Sequence, residues 1–153
     1  MKIILFLVFI VLAILAFRGM RWAYVSYVVL GLLYFPFSVG FRLDPHPCEL
    51  ALSLPLAIHS LGNYAHIVLL TFFFLMTRAQ WTSRGQVFDL RAFGWAALAT
   101  IVMGALVEAA EGISGKGHCR LRDLVPDTTG ALIGAALAWL WQGIRIKLRP
   151  KNI

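Results

Sequence analysis

Charge-free runs divide the chain. Ile3–Phe17 passes 15 residues without an acidic or basic side chain, and Trp22–Phe41 passes 20. Leu50–Thr77 passes 28, Ala92–Val107 passes 16 and Thr128–Ile144 passes 17. A bilayer-crossing helix needs about 20 mainly apolar residues, with a range of about 17–25. The runs therefore predict an all-α, polytopic transmembrane bundle of about five spans, over 2–18, 21–41, 61–78, 92–112 and 123–144. The whole chain, 1–153, reads as one transmembrane domain.

Two stretches need separate treatment. Leu50–Ser60 precedes the third span and contains Pro55, which removes a helical donor and clashes one turn back. A short interfacial or re-entrant segment fits it better than an overlong, kinked third helix. Met1-Lys2 followed by an apolar run resembles a signal peptide, but no A-x-A site follows and Arg18 and Arg21 sit where cleavage would fall. The first helix is therefore read as retained, with a four-span arrangement as the alternative. The link Arg18-Gly19-Met20-Arg21 is short, so the first two helices should be antiparallel neighbours.

Composition supports the bilayer. The chain is 60% hydrophobic and 14% charged, with a mean hydropathy of +0.80. A soluble domain is about 45–50% apolar and about 25% charged. The net charge of +7 is a topology signal and a match for anionic headgroups. No hydrophilic domain remains to bind nucleic acid. Nine of the 14 Lys and Arg residues fall on one side of a five-span layout, namely Arg18, Arg21, Arg78, Arg84, Arg91, Arg145, Lys147, Arg149 and Lys151. Basic loops stay cytoplasmic. The expected location is thus the bacterial inner (cytoplasmic) membrane, with the N-terminus outside and the C-terminus in the cytoplasm.

This layout gathers polar residues at the outer face. The second loop supplies Arg42, Asp44, His46 and Glu49. His66 opens the third span, and Glu108 and Glu111 share a face near the end of the fourth. The last loop carries Lys116, His118, Arg120 and Arg122, and Asp123 and Asp127 open the final helix. Arg120 and Arg122 are available as counter-charges. From Asp127 the same face continues through Gly130 or Ala131, Gly134 and Ala138, a small-residue stripe suited to close helix packing. Ionisable groups at membrane depth are costly and usually paired. Plainer readings stand beside this one. Asp123 and Asp127 could favour the helix dipole alone. His66 could be a satisfied bundle histidine, and His46 and His118 could be solvated loop residues.

Taken in order, these residues resemble the VanZ-like family of small membrane proteins over about 60–140. That family carries a His in one helix, a Glu-x-x-Gln pair before a Gly/Arg loop, then an Asp four residues before an Asn, leading into Gly-x-x-x-Gly. His66, Glu108, Asp123, Gly130 and Gly134 match. Glu111 stands at the Gln position and Asp127 at the Asn position. Gly115-Lys116-Gly117 lies near the Gly-Arg turn, with Arg120 or Arg122 in the role of its Arg. Gly62-Asn63 replaces the Asp-Lys that usually precedes the His. The family takes its name from a teicoplanin-resistance protein, so the resemblance implies a role in the cell envelope.

Cys48 and Cys119 both fall on the predicted outer face, where disulfides persist. A bridge between them would clamp the second loop onto the acidic site; two unpaired thiols are the alternative. Their spacing with His46 and His118 matches no standard zinc pattern, so no metal is expected. No nucleophile with a base can be assigned and no cofactor is implied, which favours binding over catalysis. Two functions follow. One is an outward-facing acidic/His site (His66, Glu108, Glu111, Arg120, Arg122, Asp123, Asp127) that binds or protects against a lipid-linked or envelope ligand. The other is an accessory subunit packed into a larger membrane protein complex. Membrane lipids are the expected partners in either case.

Overall fold

The computed structural model describes residues 2–38, 44–82, 89–115 and 119–148. Arg42, Arg84, Lys116, Gly117, His118, Arg149 and Lys151, named above, lie outside the described residues. The fold is all-helical: α1 Lys2–Phe17, α2 Arg21–Ser38, α3 Leu54–Ser60, α4 Tyr64–Trp81, α5 Leu90–Ser114 and α6 Leu124–Leu148. A 3-10 turn, Leu121–Asp123, leads into α6. The extended pairing among the described residues is one bridge, Glu49 to Arg120.

Pro55 starts a helix where the sequence left a short segment open. It sits in the first turn of α3, where its missing donor is not needed. The chain then breaks at Leu61–Asn63 and turns by 74° into α4. Thus α4 begins at Tyr64 rather than 61, and α3 is a separate crosswise helix. Two helical stretches, Leu90–Ser114 and Leu121–Ile144, are long and apolar enough to cross a membrane. The bent α3–α4 pair makes a third if it is one span, and the apolar stretch Leu7–Phe17 of α1 is shorter.

Contacts set the helix directions. The α4–α6 register climbs together: His66 meets Asp127, Thr71 meets Gly130 and Phe74 meets Gly134. These two helices are therefore parallel. The start of α5 lies at the end of α4, where Phe93 packs on Phe74 and beneath the Arg78 guanidinium. The end of α5 lies at the start of α6, so α5 is antiparallel to both. Ala16, near the end of α1, accepts from Gln80 Nε2 at the end of α4. Tyr24, near the start of α2, bonds Thr77 at 2.9 Å. So α1 runs with α4 and α2 runs against it, and the short Arg18–Met20 link does join antiparallel neighbours.

The small-residue stripe packs as its spacing implied. A Cβ at Gly130 would stand 2.6 Å from the Ile67 carbonyl oxygen, and one at Gly134 would stand 2.9 Å from the Phe74 ring. Thr71 Oγ1 donates to the Gly130 carbonyl at 3.0 Å. Ala131 and Ala138 are buried beside Phe74 and Ala96. Gly130→Val should therefore force α4 and α6 apart, since a backbone carbonyl cannot rotate away. Overpacking of this kind costs about 1–3 kcal/mol. Gly143→Ala, with nothing within 4 Å of the added carbon, should be neutral. Thermal unfolding in detergent separates the two; equal midpoints would refute the close crossing.

The outside of the bundle is apolar. Leu98, Ile101 and Val102 on α5 and Leu132, Leu137 and Leu140 on α6 are exposed. Such continuous apolar surface marks contact with lipid or with other helices. At the α4 C-terminal end, Trp81 stacks on Trp95 with centroids 5.7 Å apart, and Asp89 caps α5 through the amides of Arg91 and Ala92.

Candidate functional site

The opposite end of the bundle is closed by a polar cap. Residues 44–53 lie there without regular secondary structure, apart from the bridge at Glu49. Cys48 and Cys119 form a disulfide with Cα atoms 4.7 Å apart, within the usual limit of about 7 Å. Backbone bonds flank the bridge. His46 N–H donates to the Gly112 carbonyl, Glu49 N–H to Cys119, and Leu121 N–H to Glu49, each at 2.9 Å. Gly115 ends α5 with φ 62°, a left-handed conformation that glycine adopts without strain. The Asp44 carbonyl fills the place of a Cβ there, which lets the loop lie directly on the helix end.

The arginines answer to Glu49. Arg120 Nε lies 3.3 Å from Glu49 Oε2, and Arg122 Nη1 lies 3.2 Å from Glu49 Oε1. The counter-charges expected for the membrane acids are thus engaged in the cap. The reason is local: the Glu49–Arg120 bridge holds the two backbones side by side, so their side chains meet first. Glu49 is 44% exposed, so the pairs orient the cap more than they stabilise it.

Below the cap, one face of α5 forms a column. Gly104, Glu108 and Gly112 recur at four-residue spacing and so share that face. Gly112 packs on the disulfide: a Cβ there would stand 3.1 Å from Cys119 Cβ and 3.3 Å from Cys48 Sγ. Glu108, 5% exposed, accepts the Arg120 backbone N–H on Oε2 at 2.7 Å. Gly104 faces the Asp127 carboxyl so closely that a Cβ would stand 2.9 Å from its Cγ. Asp127 is 1% exposed and binds His66 Nδ1 through Oδ1 at 2.9 Å. Glu108 Oε1 and Asp127 Oδ2 are buried without a hydrogen-bond partner among the described residues.

The column brings together His66, Glu108 and Asp127. Asp123 is half-buried in the 3-10 turn, within electrostatic reach of His66 but without a side-chain hydrogen bond among the described residues. Glu111 stands apart, on the wall of an open cleft of about 390 Å³ with His46, Glu49 and Arg120. Gly112, Gly115 and Cys119 line the same cleft. His46 Nδ1 bonds the Asp44 carbonyl and stays exposed, as a loop residue should. Gly130 and Gly134 serve helix packing. His66 is neither solvated nor idle, since it partners Asp127 with its side chain 17% exposed.

Sequence reasoning missed Glu49 as the partner of both arginines. The clue was available, because pairing Cys48 with Cys119 places their neighbours Glu49 and Arg120 opposite each other. It also missed Gly104 and Gly112, whose spacing around Glu108 marks a face of α5 that admits close approach. Among the described residues, no group of three His, Cys, Asp or Glu side chains is arranged to hold a metal ion. The chemistry on offer is acceptor-rich, with carboxylate oxygens below and beside the cleft and the guanidinium groups turned to Glu49. No family model, no curated protein and no solved structure matches the chain.

Proposed function

We propose that this chain is a VanZ-like integral protein of the bacterial cytoplasmic membrane that binds a lipid-linked or other envelope ligand at its outer end. The observation that carries the reading is the cleft itself, bounded by a disulfide-stapled cap and lying over buried Glu108 and the His66–Asp127 pair. Buried, hydrogen-bonded acids at membrane depth mark functional positions more often than structural ones. The ligand group that suits them is a hydrogen-bond donor, such as the hydroxyl or amino groups of a lipid-linked saccharide. Phosphate suits the site less well, since Arg120 and Arg122 are already matched to Glu49.

Five crossings, by α1, α2, α4, α5 and α6, complete this reading, with α3 lying across the outer end. The helix directions alternate as such a layout requires. The disulfide belongs on an oxidising side of the membrane, which agrees with the excess of basic residues assigned to the other side. A C-terminal alkaline phosphatase fusion should therefore be inactive and one at the 44–53 loop active. The reverse pattern would end the outward-facing site.

Binding is tested by native mass spectrometry of protein purified in mild detergent from bacterial membranes. Wild type should retain a polyprenyl-linked or otherwise glycosylated lipid, and Glu111→Ala should lose it. Equal retention of bulk phospholipid alone by both proteins would refute the ligand reading. The exposed apolar faces of α5 and α6 favour a second function, an accessory subunit of a larger complex. Stoichiometric recovery of that complex with the tagged chain would select it.

A further inference from the structure

Two acidic oxygens are sealed in the outer half of the bundle. Glu108 Oε1 and Asp127 Oδ2 are buried, on residues 5% and 1% exposed, and neither has a hydrogen-bond partner among the described residues. They lie along one face of α5: Asp127 Oδ2 abuts Gly104, and Glu108 is the next turn toward the cap. The groups around them come from several elements. His66 approaches from α4, Asp123 from the 3-10 turn, Glu111 from the cleft wall and the Arg120 N–H from the cap.

A sealed carboxylate oxygen without a donor is expensive, so a positive partner is called for. An organic ammonium group needs room, and the space beside Gly104 is already filled by the Asp127 carboxyl. A metal ion needs several ligands; calcium and magnesium take six or more oxygens. No trio of His, Cys, Asp or Glu side chains converges among the described residues. Of the nearby carbonyls, that of Gly112 accepts from the His46 N–H and that of Gly130 from Thr71 Oγ1. A proton needs a single oxygen and no additional space.

We propose that Glu108 is a proton-binding site that exchanges with the outer cleft and couples its occupancy to the cap. A hydronium ion in the cleft gives its proton to Glu108 Oε1. An O–H bond forms, a water molecule is left behind, and the reverse step returns the proton to the cleft. Glu111, three residues along α5, lines the cleft and lies within electrostatic reach of Glu108. Protonation removes one negative charge from beside Asp123 and Glu111. It also weakens the bond from Arg120 N–H, because a neutral carboxyl accepts less strongly than a carboxylate. Proton uptake therefore loosens the Arg120 backbone that holds the cap. The proposal rests on the envelope-ligand reading only for the side from which the proton enters.

Infrared difference spectroscopy of ligand-free protein in detergent tests it. Wild type at neutral pH should show the carbonyl stretch of a protonated carboxylic acid, shifted by exchange into heavy water. The band should be lost in Glu108→Gln and kept in Glu111→Gln. Absence of the band in wild type, or its survival in Glu108→Gln, overturns the proposal. Loss of the band when sodium chloride replaces choline chloride at equal ionic strength would assign the position to a metal ion and overturn it too. If Glu108→Gln does not assemble, carbon-13 labelling of glutamate in Glu111→Gln decides, because exposed Glu49 is then the one other glutamate in the sequence: a shifted band supports the site, and an unshifted or missing band refutes it. The protein carries no ligand in this measurement, so a missing band leaves the envelope-ligand reading standing, and an empty cleft in mass spectrometry leaves the proton site standing.

Discussion

Asp127→Leu should destabilise the bundle by about 3–4 kcal/mol, while Asp127→Asn should leave it folded. The loss has two parts. Leucine strands His66 Nδ1, whose partner in the structure is Asp127 Oδ1 at 2.9 Å; an abandoned buried polar group costs about 1–3 kcal/mol. Leucine also presses branched methyl groups against Gly104, where the carboxyl already leaves no space for a Cβ. Overpacking adds about 1–3 kcal/mol. Asparagine keeps the shape and an oxygen that accepts from His66. Equilibrium unfolding in mixed micelles measures both variants. A stable Asp127→Leu protein would show that the His66–Asp127 pair contributes little to the α4–α6 contact.

Replacing Cys48 and Cys119 by Ala should cost about 2–4 kcal/mol, and the loss should be confined to the cap. The bridge joins positions 71 residues apart, and long loops lose the most entropy when closed. Residues 44–53 have few other anchors, chiefly the backbone bonds at His46 and Glu49 and the exposed Glu49–arginine pairs. The α4–α5–α6 packing lies below and does not depend on the bridge. Limited proteolysis should therefore cut the double variant within the loop while the helices remain protected. In wild type, both cysteines should resist alkylation until reduced. Alkylation without reductant, or global unfolding of the double variant, would contradict this division.

Several elements were legible in the chain before any contact was known. The charge-free runs located α1, α2, α4, α5 and α6 to within a few residues, and two of these helices, or three with the bent α3–α4 pair, are long and apolar enough to cross a membrane. Pro55 spoke against one straight helix through Leu50–Thr77, and it stands in the first turn of the separate helix α3. The spacing Asp127, Gly130, Gly134 and Ala138 marked the face of α6 that meets α4, since residues three and four apart share a face. The cysteines could be paired because both fall between helices that end on the same side.

The tertiary structure alone decided which polar groups meet. Asp127 could have capped its own helix, and only the parallel packing of α4 beside α6 brings His66 to it. Arg120 and Arg122 were available to Glu108, Glu111, Asp123 and Asp127 as well, and the backbone bridge in the cap gave them to Glu49, because backbone pairing fixes neighbours before flexible side chains choose. Glu108 accepts a backbone amide rather than a guanidinium, a partner that no residue identity announces. Helical periodicity is a local property, written in the order of residues. Charge pairing is settled by which surfaces pack, and that depends on the whole bundle.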